Sequence, residues 1–152
     1  MFELPRGITG FGVDHPPSQL AERRVEFIAW ARSVASALDS SATELALSDP
    51  APSFDLVKLE RVDRWLLHNR FVPVVGVLAR KPEPGTSWAV AGEYVDVAIP
   101  EHLTTWGPRL LGAVELNAPL TGGLESLGLG ATEQAERYKP ETVAHVVFNY
   151  WS

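Results

Sequence analysis

Glu93, Asp96 and Glu101 lie close together along the chain and could supply the paired carboxylates of acid–base chemistry, although a solvated strand face gives the same pattern. Gly123 and Gly128 stand at the spacing of a phosphate-binding loop. Leu129 and Gly130 occupy the places where such a loop needs Lys and a hydroxyl residue, so no phosphate cradle is expected. There is no GxSxG nucleophile elbow and no HExxH motif. His15, His68, His102 and His145 are scattered, none with a carboxylate or second His at a recognisable metal spacing. The absence of cysteine removes disulfides, thiolate metal sites and a Cys nucleophile, and it suits a reducing cytosol. These residues predict no metal, no cofactor and no catalytic set. Trp88 and Trp106, with carboxylates nearby in the chain, leave open a small-molecule pocket or an enzyme site as the alternative.

Charge says more. Residues 1–82 hold 10 Lys/Arg and 10 Asp/Glu, whereas residues 83–152 hold 3 and 9, so the net charge of −6 belongs wholly to the second part. That balance disfavours nucleic acid, whose phosphates need an excess of Lys and Arg. It suits a basic protein partner, met through an acidic surface over residues 83–125 that includes Glu93, Asp96, Glu101 and Glu115, with Trp106 as an aromatic anchor. Ordinary solubility charge would give the same imbalance.

The elements that would position these residues can be read from periodicity. The 152-residue length is that of one domain. No apolar run approaches the roughly 18 residues of a membrane span, and the first residues show no basic segment followed by an apolar one, so a cytoplasmic protein without a secretory signal is expected. Ser18 is expected to cap a helix running to Leu38, in which Leu20, Arg24, Phe27, Ile28, Ala31, Val34, Ala35 and Leu38 recur at three and four, with Trp30 half-buried at the stripe's edge. FDLVKLE, RWLLHN and FVPVVGVLAR read as strands, with His68-Asn69-Arg70 a hairpin connection and Pro73 marking an edge or a bulge. A helix through Leu56–Leu67 also fits the spacing of Leu59, Val62 and Leu66. KPEPGTS reads as a loop, EYVDVAIP as a half-buried strand with Val95, Val97 and Ile99 on one face, and RLLGAVELNAPL as a strand ending at Asn117 or Pro119. Thr132 is placed to cap a short helix, and Pro140 to open a terminal one whose apolar face is Val143, Val146, Val147, Tyr150 and Trp151. Leaving Phe148, Tyr150 and Trp151 in water would forgo roughly 1.5 to 3 kcal/mol for each, so this last segment is expected to pack.

LPRGITGFG near one end, VELNAPL, and RYKPETVAHVVFNYW near the other resemble small actinobacterial-type immunity proteins of polymorphic toxin systems. Within this resemblance Gly7 and Gly10 read as turn residues and the last motif as a packing helix. The resemblance implies a cognate toxin as protein partner and brings no catalytic residue with it. The expected fold is α+β, a mainly antiparallel sheet covered by the first helix and closed by the last.

Overall fold

The computed structural model describes residues 2–10, 15–46, 52–121 and 130–151. Its elements run α1 (Pro17–Ala37), β1 (Ala42–Leu45), β2 (Phe54–Leu59), β3 (Arg64–Asn69), β4 (Val74–Leu78), β5 (Glu83–Pro84), β6 (Val90–Ala91), β7 (Arg109–Leu110), α2 (Ala113–Asn117), α3 (Ala131–Tyr138) and α4 (Val143–Val147). The fold is α+β. β1 to β4 form an antiparallel meander, β7 joins β4 in parallel, and β5 and β6 pair separately.

The sheet is buried on both faces because its strands carry apolar residues at successive positions. Val57, Leu59, Leu66, Val75 and Val77 form one cluster with Phe27, Trp30, Ala31, Val34 and Ala35 of α1. The alternating positions Phe54, Leu56, Trp65, Leu67, Val74 and Leu78 face a second cluster built from Leu116, Val143, Val146, Val147, Phe148 and Trp151. Gly76 lies on this second face, where a Cβ would stand 2.7 Å from the Phe148 ring, so the missing side chain is the space the ring fills.

Several local expectations are corrected. α1 starts two residues earlier than the Ser18 cap would place it, because Pro17 sits at the first helical position, where its missing N–H costs no bond; no side chain caps the helix. It ends where Asp39 turns left-handed (φ 55°) and the N–H of Ser40 closes on the Ala35 carbonyl at 2.8 Å. Trp30 is 1 % exposed instead of half-buried, since its indole N–H donates to the Leu103 carbonyl at 2.7 Å and needs no water. Leu56–Leu67 is strand, turn and strand, the preferred reading, and the alternative helix does not form. His68 and Asn69 end β3, and the connection follows them: the Asn69 side-chain carbonyl accepts from the N–H groups of Phe71 and Val72 at 2.9 and 3.0 Å, turning the chain. Pro73 precedes a strand that is paired on both sides, so it marks neither an edge nor a bulge.

Within the expected loop, β5 and a 3-10 turn at Thr86–Trp88 form. EYVDVAIP makes only a bridge, Tyr94 to Leu78, because β7 occupies the rest of that side of β4; Val95, Val97 and Ile99 nonetheless pack together on the α1 side. The expected strand through Asn117 stops at Leu110, where the chain enters α2. α3 begins after Gly130, which adopts φ 83°, so the cap lies there and not at Thr132. The spacing at Gly123 and Gly128 lies outside the described residues.

The final segment packs, but its helix is shorter than periodicity suggested. Thr142, not Pro140, starts α4, with its hydroxyl accepting from the His145 N–H at 3.3 Å. Phe148 to Trp151 are extended: the N–H of Tyr150 bonds the Trp88 carbonyl at 2.8 Å, and the Trp151 indole donates to the Ser87 carbonyl at 2.8 Å.

His145 couples this helix to pH. Burial holds its imidazole below the usual 6.5, only partly opposed by Glu141. Its Nδ1 lies 3.0 Å from the Glu141 N–H, a bond only the neutral ring accepts. As pH falls the unfolded chain takes up this proton first, so the stability that His145 contributes is present above about pH 6.5 and is lost as pH falls through the lower folded value. The melting temperature should therefore fall between about pH 7.5 and pH 5, and His145→Gln should flatten that slope. An identical slope in the variant would place the titration elsewhere.

Candidate functional site

Pro100 and Pro108 bracket a loop that begins as a 3-10 turn at Glu101–Thr104. Thr104 and Thr105 donate their hydroxyls to the carbonyls of Glu101 and His102 at 2.6 and 2.8 Å, satisfying main-chain groups the short turn leaves open. Leu103 is buried and anchors the turn to Trp30. Gly107 takes φ 73° against Trp30, where a Cβ would come within 2.7 Å of the ring. Fixed on both sides, the loop holds the Trp106 indole 40 % exposed, over a hollow of about 270 Å³ between Trp30, Leu103 and Leu110.

The chain then enters β7. Arg109 lies over the Phe2 ring at 5.1 Å and bonds the Glu115 carboxylate at 2.9 Å. The other Glu115 oxygen accepts from the Gly112 N–H at 3.4 Å, and Asp96 accepts from the Ala113 N–H at 2.9 Å. Two residues expected to meet a partner, Asp96 and Glu115, thus satisfy the first N–H groups of α2, the work of a cap. This pair explains why the chain turns helical after β7. Glu101 is exposed and enters no ion pair among the described residues, and neither does Glu93, whose carbonyl accepts from Ala79 at 3.1 Å.

The structure therefore brings Glu101 and Trp106 together on one loop, sets Asp96 and Glu115 at the start of α2, and leaves Glu93 apart. Residues 122–125 of the expected acidic surface lie outside the described residues. Trp88 is 57 % exposed but belongs to the opposite layer, beside Tyr150 and Trp151, so it shares no pocket with Trp106. It stands in a strained corner, with both Ser87 (φ 61°) and Trp88 (φ 48°) left-handed.

A second feature was not anticipated. Between α1 and the β1–β2 end of the sheet lies an open groove of about 830 Å³, walled by Leu20, Phe27, Ile28 and Leu45 and by the cations Arg24 and Arg70. An arginine inside an otherwise apolar helical stripe, at Arg24, was its signal in the sequence. Arg24 pairs with Glu44, and its Nε lies 3.9 Å from Asp55. Asp55 in turn stands 3.3 Å from Nδ1 of His68, opposite it in the β2–β3 register. The carboxylate and imidazole have the makings of an acid–base pair. His68 is only 1 % exposed and stacks on Phe27 at 4.6 Å, so no substrate reaches it, and the pair is structural.

Among the described residues no group of three His, Asp or Glu is placed to hold a metal ion, and no helix is long and apolar enough to cross a membrane. Comparison with known proteins returned no matching family model, curated protein or solved structure.

Proposed function

We propose that this is an inhibitory binding protein that acts in the cytoplasm by docking a basic protein domain on the face around Trp106, as an immunity protein docks its toxin. The observation that carries the reading is the indole of Trp106, a large apolar surface held in water by a loop that Gly107 and Leu103 lock against the core. Rigid exposed tryptophans make strong interface anchors, because little motion is lost when they are covered. Glu101, on the same loop and with no ion pair among the described residues, adds charge complementarity to a basic surface, and the whole net charge lies in residues 83–152. The hollow beside Trp106, about 270 Å³, is smaller than most ligand pockets, and Trp88 lies elsewhere, so an aromatic small-molecule pocket is less well supported.

The test is a titration against a candidate basic toxin domain from the neighbouring reading frame, at low and high salt. Trp106→Ala should weaken binding by about 2 kcal/mol or more, roughly thirtyfold. Glu101→Lys should slow association and reduce its salt dependence. Asp96→Asn and Glu115→Gln should instead lower the melting temperature, because they cap α2. Unchanged affinity in folded Trp106→Ala and Glu101→Lys variants would put the interface elsewhere.

A further inference from the structure

The groove on the α1 side shares no lining residue with the Trp106 hollow, and its charges are unequally matched. Arg24 already has two carboxylates, Glu44 and Asp55. Arg70 is partly buried, yet among the described residues its guanidinium makes no ion pair or side-chain hydrogen bond, although a guanidinium stays charged at any physiological pH and such groups are seldom buried without a counterion. The volume of about 830 Å³ falls within the range of sites that enclose small molecules. The rest of the wall is mostly apolar, its other charged residues being the mutually paired Arg24, Glu44 and Asp55, and Val25 at the rim is 69 % exposed.

We propose that this groove binds a straight-chain monocarboxylate, its tail along Leu20, Phe27, Ile28 and Leu45 and its carboxylate on Arg70. A guanidinium presents two parallel N–H donors that match a carboxylate. A single charge is preferred over a phosphate dianion because Glu44 and Asp55 line the same groove and would repel the second charge. An apolar tail is required because the walls offer few other polar partners. No remote element has to move, since the groove is open to solvent.

The test is titration of the whole labelled protein with decanoate and, separately, with decanol, both below their micelle-forming or solubility limits, read from the methyl resonances of Leu20, Ile28 and Leu45. Decanoate should bind saturably with shifts centred on those residues, and decanol at least about tenfold more weakly, the loss expected when a charged hydrogen-bonding pair is removed. Arg70→Gln should weaken decanoate by about tenfold or more while leaving decanol unaffected. Ala21→Phe, at an exposed position of α1 that lines the groove, should obstruct both ligands. Absence of saturable binding, equal binding of acid and alcohol, or shifts centred away from the groove would overturn the proposal. The acid–alcohol comparison on the unaltered protein decides the matter even if a variant fails to fold. A negative result would not touch the docking face at Trp106.

Discussion

A chain ended at Lys139 is expected to show no cooperative unfolding transition. Val143, Ala144, Val146, Val147, Phe148 and Trp151 are all buried, and Phe148 and Val147 completely so. Each large side chain contributes roughly 1.5 to 3 kcal/mol by leaving water, and the five larger ones together approach or exceed the 5 to 15 kcal/mol that separates a typical domain from its unfolded state. Their removal would also open the second face of the sheet from Phe54 to Leu78 to solvent. Circular dichroism with thermal melting reads the outcome. A sharp transition within a few degrees of the full chain would show that the segment is an appendage.

The second large effect is expected at Asn69. Its amide nitrogen donates to the carbonyls of Ile8 and Val147 at 3.0 and 2.7 Å, while its oxygen accepts from Phe71 and Val72. Asn69→Leu keeps the volume and strands main-chain groups from three parts of the chain. Unsatisfied buried groups cost about 1 to 3 kcal/mol each, so a loss of about 4 kcal/mol or more is expected in urea denaturation. Ser53→Ala should cost less, about 2 kcal/mol, since among the described residues the Ser53 hydroxyl makes two bonds, donating to the Val147 carbonyl and accepting from the Asn149 N–H. A loss below about 1 kcal/mol for Asn69→Leu would mean that water or a shift of the backbone replaces these bonds.

Most of the scaffold was legible because it depends on local patterns. α1, the β2–β3–β4 meander and the packing of the last residues follow from the spacing of apolar side chains. Two of the failures share one cause. β7 stops at Leu110 and Tyr94 makes only a bridge because both segments pair along the outer side of β4. Periodicity within one segment cannot report that competition. Asn69 was read as a turn residue because asparagine favours turns. It does turn the chain, but from the end of a strand, with its other donors reaching residues far away in sequence. At the candidate site Trp106 and Glu101 were legible as an exposed aromatic and a surface acid. The capping roles of Asp96 and Glu115 were not, since they depend on a short helix the sequence reading took for strand. Arg70 gave no signal, because nothing in its neighbours shows that it lacks a counterion.

The amide of Asn69 holds Ile8 on one side and Val147 on the other, so a single side chain ties together segments 61 residues before it and 78 residues after it. During synthesis the meander can form early, yet Asn69 keeps an unfilled donor, and one face of the sheet stays wet, until Val147 has left the ribosome. Before that moment the nascent chain is a half-built sheet with an apolar face, the kind of species that chaperones hold and that self-associates when crowded. Closing loops of this span is slow, so the fold should be reached in one step, gated by the docking of the Val147 segment more than by the speed of its helices.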